Sequence, residues 1–188
     1  LYFEELLDVD VVFNDLPKTI SLSAFNLVNR RIAQRAIEKL VSHRGEIGKK
    51  EVKGAVDWSK KEVDKELYGI GKKMVDRVGL RGINEELTRT IGRLQFRTSY
   101  SQNIMRHSME VGYLATMLGS EIGLNIQTCK VAGFLHDLGK TIDQNPDVQG
   151  THDFLTKELM EKYGFSDEEV HAAWTHHEAE KPQTPEAL

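Results

Sequence analysis

The sequence predicts a mainly α-helical protein in which a helical bundle is preceded by a small α+β unit. After Asn26, apolar residues recur at the spacing of amphipathic helices in most of the chain. Before Asn26, β-branched and aromatic residues flank NDLP at residues 14–17, a sequence typical of a turn. With 188 residues, 39% of them hydrophobic and 29% charged, the chain has the composition of a soluble protein with one good core or two small ones.

Cysteine content and hydropathy exclude several classes of protein. The single cysteine, Cys129, excludes an internal disulfide and a four-cysteine zinc site. No apolar run approaches the ~18 residues of a membrane span, and the first residues lack the pattern of a secretory signal. We therefore expect a cytoplasmic protein in which this chain itself makes no membrane contact.

The N-terminal part combines a hairpin with helices. DVDVVFND followed by LPKTISLSAF, at residues 8–25, predicts two strands, and a helix from Asn26 to Arg44 follows. A polar helix rich in Lys and Glu then runs from Glu51 to about Val78 and ends at GLRG, residues 79–82. The sequence thus predicts a unit at 1–45, a connecting helical segment at 46–82 and a helical domain at 83–188.

The helical domain begins with two predicted helices. Asn84 is a candidate cap for a helix that ends at about Leu94. The next helix ends near Gly123 and contains His107 on its apolar face. The apolar stripe of that helix consists of Ile104, Val111, Leu114, Leu118 and Ile122.

Further helices are predicted towards the C-terminus. One leads from about Gln127 into LHDLGK at residues 135–140, and another runs from Thr151 to about Gly164. The pattern Ser-x-x-Glu at 166–169 is a capping box, which opens a helix containing His171, His176 and His177. Thr184-Pro185 has the form of a cap followed by proline at the first helical position.

Charge is unevenly distributed, although the formal net charge is only −4. Residues 26–81 carry fifteen Lys and Arg against eight Asp and Glu, whereas residues 101–188 carry six against fourteen. A basic segment attracts phosphates, and an acidic segment that holds most of the histidines attracts cations. Solvated helix faces explain both patterns equally well. The residues predicted to contact phosphates are Arg30, Arg31, Arg35, Lys49, Lys50, Lys60 and Lys61.

The pair His136-Asp137, within LHDLGK, places an imidazole and a carboxylate among leucines. Burying even a neutral polar group costs roughly 2–7 kcal/mol unless a partner compensates, so a structural hydrogen bond, a catalytic dyad or a metal ion must hold the pair. Any single histidine is more often a core or surface residue than a ligand. Six residues on four successive predicted helices together favour a metal site: His107, His136, Asp137, His152, His176 and His177.

A catalytic ion fits this set better than a structural one, because the set lacks cysteine and Lys140 adjoins the pair. Histidine and aspartate suit Zn, Mn or Fe, and the two oxygens of an aspartate can bridge two ions. Two ions ~3.5–4 Å apart activate a water and neutralise charge on a phosphoryl group. A neighbouring lysine can hold a phosphate oxygen.

Several segments of the sequence resemble a known family. FRTSYSQNIMRHSMEV at 96–111, VAGFLHDLGKTID and THHEAEKPQTP are similar to the HD superfamily of metal-dependent phosphohydrolases, and specifically to its ribonuclease Y family. DVDVVFNDLPKTISLSAFNLVNRRIAQRAIEKLV resembles the second half of the KH module that precedes the HD domain in that family. The HD pattern alone is shared by nucleotidases and cyclic-dinucleotide phosphodiesterases, so RTSYSQN and the KH-like segment are the more specific signals.

By position, the resemblance implies a two-metal site of divalent Mn, Fe, Mg, Zn or Ni. Asp137 would bridge the ions and Lys140 would hold the scissile phosphate, so these two are the expected catalytic residues. The six residues of the pattern, from His107 to His177, match the metal ligands of the family.

The resemblance also implies that the chain is a core excised from a longer protein. The closing aspartate of the family would lie beyond Leu188, and the KH glycine loop would lie before Leu1. The HD domain at 83–188 is then incomplete and the KH-like unit at 1–45 is partial. The full-length protein could be anchored at the inner face of a bacterial membrane.

The leading interpretation is a metal-dependent endoribonuclease that hydrolyses phosphodiester bonds of single-stranded RNA in mRNA turnover. One alternative is an HD phosphohydrolase that acts on nucleotides or cyclic dinucleotides. Another is a non-catalytic RNA-binding domain whose metal is structural. A homodimer is compatible with each of these interpretations.

Overall fold

The computed structural model describes residues 2–13, 17, 19–178 and 180–188, and its helices confirm the predicted mainly α-helical fold class. The chain divides into two compact units, residues 1–66 and 67–188, and the boundary falls within one long helix. The predicted boundaries near residues 45 and 82 stay predictions. Each unit is described by itself.

The first unit contains a two-stranded sheet and helices. α1 (Tyr2–Leu7) precedes β1 (Asp10–Phe13) and β2 (Ile20–Ser23), which pair antiparallel with Val11 opposite Leu22. This pairing confirms the predicted hairpin. Most of the predicted turn at 14–17 lies outside the described residues.

α2 (Leu27–Val41) and the start of α3 (Lys49–Val78) complete the first unit. The side-chain oxygen of Asn26 accepts a hydrogen bond from the backbone N–H of Val28 at 2.9 Å, so the helix begins where the sequence predicts. Ile32, Ala33 and Ala36 form the buried face of α2.

The second unit contains the end of α3 and the elements that follow it. Its regular helices are α4 (Glu85–Arg93), α5 (Ile104–Ile122), α6 (Ile126–Leu135), α7 (His152–Lys162) and α8 (Asp167–Trp174). A short hairpin of β3 (Thr98–Ser99) and β4 (Gln102–Asn103) lies between α4 and α5. Single 3₁₀ turns occur at Leu94–Phe96, Leu138–Thr141, Thr175–His177 and Pro185–Ala187. Among the described residues, no helix is long and apolar enough to cross a membrane.

Local capping signals explain where several of these helices begin. The Asn84 side chain accepts from the backbone N–H of Leu87 at 2.8 Å and caps α4. Ser166 and Glu169 form the predicted capping box at the start of α8. The core of the second unit consists of fully buried apolar side chains from several elements, among them Leu87, Ile91, Phe134, Leu138 and Met160. Each stabilises the fold by roughly 1.5–3 kcal/mol.

Of the five residues in the predicted apolar stripe of α5, Ile104 alone is fully buried, at 2% exposed. Leu114, Leu118 and Ile122 are 56%, 66% and 71% exposed. The face that α5 buries instead includes Ser108, Gly112 and Gly119. Small residues lie there because α5 and α6 approach so closely that no larger side chain fits between them.

Two predicted helix ends are also wrong. α6 ends at Leu135, so LHDLGK is not helical throughout: its second half forms a 3₁₀ turn. α8 ends at Trp174, and therefore His176 and His177 lie in the following 3₁₀ turn rather than in the helix. Both departures place ligand-type side chains just after a helix.

Candidate metal centre

Close packing of α5 against α6 brings the first two histidines together. A Cβ atom added at Gly133 of α6 would lie 3.0 Å from the Gly112 Cα and 3.2 Å from the Val111 carbonyl oxygen, both on α5. His107 lies on the same helix as Gly112, and His136 follows α6 directly. The Nε2 atoms of these two histidines are consequently only 3.2 Å apart.

A second close approach positions His152 at the start of α7. A Cβ atom added at Gly139 would collide with the His152 carbonyl oxygen, so glycine is required there. The Gly139 N–H donates to the Thr156 hydroxyl at 2.8 Å, and that hydroxyl donates to the His136 carbonyl at 3.0 Å. The buried Thr156 therefore joins the turn at residues 136–141, which we call the HD turn, to α7.

The last two histidines come from the 3₁₀ turn after α8. The Nε2 atom of His152 lies 3.4 Å from that of His176 and 3.0 Å from that of His177. Thr175, in the same turn, donates from its buried hydroxyl to the Ala187 carbonyl at 3.1 Å. The start of α7 and the 3₁₀ turn after α8 therefore meet at the His152 ring, and the C-terminal turn that contains Ala187 is bonded to the same 3₁₀ turn.

Asp137 lies between the two sets of histidines and is 1% exposed. Its Oδ2 atom is 3.4 Å from the His136 Nε2 and 3.8 Å from the His107 Nε2. Its Oδ1 atom is 3.5 Å from the His152 Nε2 and 3.9 Å from the His176 Nε2. Each oxygen of this one carboxylate therefore faces a different set of imidazoles.

The six side chains form two clusters of three, and within each cluster the candidate ligand atoms lie within 4.8 Å of one another. We call His107, His136 and Asp137 the inner cluster, and His152, His176 and His177 the outer cluster. The inner cluster is the more buried of the two, and His177 is exposed. The structure thus brings together all six residues that the sequence analysis selected.

Backbone carbonyls orient one imidazole in each cluster. The Nδ1 atom of His136 is 2.8 Å from the Gly133 carbonyl oxygen, and that of His176 is 2.8 Å from the Ala173 carbonyl oxygen. A carbonyl only accepts, so Nδ1 carries the proton in both rings. In the neutral ring Nε2 is then left with a free lone pair directed at the site, the usual arrangement of a metal-ligating histidine.

Burial keeps imidazoles of both clusters neutral. The pKa of His176 falls from its ordinary value of 6.5 to about 4, through burial first and then through the charge of His136. Burial is also the main reason that the pKa values of His107 and His152 are lowered. These imidazoles can bind a cation at neutral pH without first losing a proton.

Asp137 stays ionised in the same surroundings. Burial by itself would raise its pKa, but the neighbouring His136 and Lys140 outweigh burial and lower it. The centre therefore combines an anionic carboxylate with the neutral rings of His107, His152 and His176, as a cation site requires.

Two features of the centre fit a divalent cation. The Oδ1 atom of Asp137 is buried and has no hydrogen-bond partner among the residues that the structure describes. Lys140 Nζ approaches it at 2.9 Å but satisfies hydrogen-bond geometry only towards Oδ2. In addition, the facing Nε2 atoms lie 3.0–3.4 Å apart, which suits nitrogens that share an ion at about 2.0–2.1 Å. The clusters could therefore hold divalent metal.

All six residues, together with Lys140, line one cavity of about 670 Å³. The hairpin of β3 and β4 lines it as well, and Tyr100 at its tip is among the lining residues. The Arg97 guanidinium donates to both oxygens of Asp143 at 3.0 and 3.2 Å beside this hairpin. A substrate that enters the cavity meets both the clusters and the hairpin.

Gly139, Thr156 and Tyr100 were given no role from the sequence, although they lie at or beside the ligands. Gly139 lies within the quoted LHDLGK motif, yet its role depends on a contact with α7 that local sequence does not reveal. Thr156 follows His152 by one helical turn, a spacing that places both on one helix face and could have identified it. Tyr100 lies within RTSYSQN, which was singled out as a family signal without a role.

The residues predicted to contact RNA lie in the first unit and differ in their surroundings. Arg31 and Arg35 both pair with Glu66, at 2.9 and 3.4 Å, so part of their charge is neutralised. Lys49 lies over the Tyr2 ring at 5.3 Å. The other predicted contact residues, Arg30, Lys50, Lys60 and Lys61, are exposed.

Comparison with known families first defines the class of the helical domain. Residues 104–188 match the model of the HD domain family. The match spans the whole candidate metal centre, from His107 to His177. The chain therefore carries an HD domain.

Comparison with curated proteins extends the similarity to nearly the whole chain. The chain is 41% identical over 98% of its length to ribonuclease Y of Fervidobacterium nodosum, and 42% identical over 94% to that of Geobacter metallireducens. It is 38% identical over 99% of its length to ribonuclease Y of Thermosipho melanesiensis. The resemblance to the ribonuclease Y family is thereby confirmed.

The same comparisons limit what can be transferred. The matched region is 35%, 33% and 36% of these three relatives, so the chain spans about a third of their length. No solved structure matches the chain significantly.

Proposed function

We propose that this chain is the core of a metal-dependent endoribonuclease that hydrolyses phosphodiester bonds in single-stranded RNA. The observation that carries the proposal is the buried Asp137, whose two oxygens face two different imidazole sets. Such a carboxylate suits two divalent ions that share one bridge. The similarity to proteins named ribonuclease Y supports RNA as the substrate.

The ligand roles follow from the two clusters. His107 and His136 would hold one cation with Oδ2 of Asp137, and the outer cluster would hold the second with Oδ1. When bound, such ions activate water and neutralise negative charge on a phosphoryl group. The Gly133 and Ala173 carbonyls keep two of the rings in the tautomer that presents Nε2.

Lys140 would serve the substrate rather than the metal. Its side chain is 12% exposed, lines the cavity and has its ammonium 2.9 Å from Asp137. An ammonium at that position can hold a phosphate oxygen next to the ligand carboxylate. We therefore keep Asp137 and Lys140 as the proposed catalytic residues.

The basic side chains predicted to contact RNA would attract its backbone. They belong to a partial KH-like unit at residues 1–45 and to the basic connecting segment that follows it. Basic side chains that bind phosphates displace counterions condensed on the RNA. The logarithm of the affinity should therefore fall with the logarithm of the salt concentration, with a slope of about −0.7 per contact in single strands. A Lys60→Gln/Lys61→Gln variant should reduce this slope. Arg31→Gln/Arg35→Gln is the matched control and should reduce it less, because Glu66 already pairs with both arginines. A flat, weak salt response in the unsubstituted chain would contradict the proposed contacts.

A paired measurement tests the metal and the activity. The chain is purified without chelator, its metal content is determined by elemental analysis, and hydrolysis of an end-labelled unstructured RNA is followed with added Mn²⁺. We expect bound metal and internal RNA cleavage in the unsubstituted chain, and neither in the His136→Ala/Asp137→Ala variant. His43→Ala is the matched control, because His43 is exposed and lies outside both clusters.

Two results would contradict the proposal. Equal metal content in the double variant and the unsubstituted chain would remove the clusters from metal binding. Hydrolysis of a cyclic dinucleotide without cleavage of RNA would assign the centre to small nucleotides instead.

A further inference from the structure

The hairpin beside the cavity has an unusual tip. β3 and β4 are joined by Tyr100 and Ser101, whose φ angles are +48° and +64°. Positive φ at both central residues defines the two-residue turn that normally contains Asn-Gly. A tyrosine in this conformation is strained, and such strain clusters at functional sites.

The strained residue presents its ring to solvent. Tyr100 is 97% exposed and lines the same cavity as both clusters. Arg97, Ser99 and Gln102 of the same strand-turn-strand segment also line that cavity. The hairpin is therefore a wall of the candidate active site, and its aromatic tip is not part of any core.

The base of the hairpin is braced against the domain. The Ile104 N–H donates to the Arg97 carbonyl at 2.9 Å, and the Asn103 side-chain amide donates to the Gln95 carbonyl at 2.8 Å. Arg97 is itself fixed by its two hydrogen bonds to Asp143. A short turn on such a base fixes the backbone that carries the ring, which lowers the entropic cost when a ligand binds.

We propose that Tyr100 is a stacking platform for a nucleobase of single-stranded RNA whose backbone phosphate lies at the metal centre. The inference rests on the proposed function and deepens it. A flat aromatic ring can stack on the face of any base, while the metal clusters and Lys140 bind the phosphate in the same cavity. The polar side chains of Ser99 and Gln102 are available to the sugar or to the base edge. The volume of about 670 Å³ accommodates a nucleotide unit beside the centre.

The strain supports a role for the ring itself. Asparagine or glycine would adopt the left-handed conformation with less strain, so stability alone would favour either residue over tyrosine at the tip. Tyr100 makes the turn less favourable while placing a large ring where RNA would pass. A contact with substrate accounts for both facts.

The test measures kcat and KM for a single-stranded RNA and for a series of the same RNA in which one nucleotide at a time is abasic. The variants are Tyr100→Ala, Tyr100→Trp and Tyr100→Asn, each in the whole chain. Tyr113→Ala is the matched control, since Tyr113 is a half-exposed tyrosine of α5 that does not line this cavity. Metal content and melting temperature are measured for every variant.

We expect Tyr100→Ala to raise KM for the intact RNA by about 5- to 150-fold, the range of losing one base stack, with unchanged metal content. One abasic position should abolish the difference between the two proteins, because the missing base has no stack to lose. Tyr100→Trp should keep the low KM. Tyr100→Asn should raise KM as the alanine variant does while melting at an equal or higher temperature.

The outcomes separate this inference from the proposed function. RNA cleavage by the unsubstituted chain with the same KM in Tyr100→Ala would overturn the stacking role alone. A chain that cleaves no RNA would overturn both. A rise in KM that every abasic RNA shows equally, accompanied by loss of self-association in sedimentation, would make Tyr100 a contact between copies and overturn the stacking role.

Discussion

The inner and outer clusters share Asp137 but are held in different ways. The inner histidines come from within α5 and from the turn directly after α6, two helices packed through glycine contacts. The outer histidines come from the first residue of α7 and from a three-residue 3₁₀ turn. The inner cluster is largely buried, while the outer cluster ends in the exposed His177.

This difference indicates two levels of preorganisation. Side chains fixed by packed helices lose little freedom when a ligand binds, whereas side chains on short turns must be ordered at that moment. We therefore expect the inner cluster to bind its cation more tightly and first. The predictions below test that order, beginning with the largest effect.

Asp137→Asn should abolish the distinction by weakening both clusters at once. The substitution removes the one anionic ligand that both clusters face. Loss of groups that merely support a ligand costs 10–100-fold in metal affinity, so loss of the ligand should cost at least about 100-fold at each cluster. Isothermal titration with Mn²⁺ measures this effect. Retention of one tight equivalent would show that the clusters do not share the carboxylate.

Gly139→Ala should separate the clusters. The added methyl group would collide with the His152 carbonyl, so α7 must move away from the HD turn, at a cost of about 1–3 kcal/mol. The free energy of unfolding should fall by this amount, and the outer cluster should lose affinity while the inner cluster binds as before. Gly164→Ala is the control for a glycine outside the site: its added Cβ meets no atom within 4 Å, although its φ of +78° adds backbone strain. Equal metal titrations of the Gly139→Ala and unsubstituted chains would contradict the positioning role.

Single histidine substitutions should rank the two clusters directly. His107→Ala is expected to lower affinity for the first cation by about 100-fold, the upper end of the range for supporting groups, because it removes a ligand. His177→Ala should leave that affinity nearly unchanged and affect the second cation. Stepwise Mn²⁺ titration of both variants distinguishes the two events. The proposed order of binding is wrong if His177→Ala has the larger effect on the first event.

Acid should destabilise the metal-free chain through His176. Its pKa is 6.5 in the unfolded chain and about 4 in the folded one, so the unfolded state binds more protons between these values and stability falls as pH falls through that window. From pH 7 to 5.5 the loss should be about 1 kcal/mol. Urea unfolding in the presence of chelator measures it.

His176→Gln should show a weaker pH dependence over the same interval, since it lacks the group that titrates. His43→Ala again serves as the control. An identical slope in His176→Gln and the unsubstituted chain would assign the acid sensitivity to other groups.

Local signals in the sequence were sufficient for most helix starts. Asn84 and the Ser166–Glu169 box act on backbone groups within four residues, so their effect can be derived from the adjacent sequence alone. The ends of α6 and α8 were predicted too late, because a continuing apolar pattern does not reveal that a helix stops for a turn.

Contacts between distant residues explain the other differences. Leu114 and Leu118 belong to the predicted apolar stripe of α5 yet are exposed, because the close approach of α5 to α6 selected glycine for the buried face. Arg31 was predicted to bind RNA without its ion pair to Glu66, a residue far along the chain. The six residues proposed as the metal centre lie together in the structure. Two histidine-rich doublets and a family resemblance selected them from the sequence without any distance.

The bonds from His136 to Gly133 and from His176 to Ala173 also determine how α6 and α8 finish. The last carbonyls of a helix lack partners within it. Here an imidazole three residues further along donates a hydrogen bond to one of these carbonyls in each helix. The ligand is thus its own helix's C-terminal cap. Fraying of the last turn would release the ring, and a ring held by a cation would in turn prevent fraying. Amide hydrogens in the last turns of these two helices should therefore exchange more slowly with solvent when metal is added, while those in the middle of α5 change little.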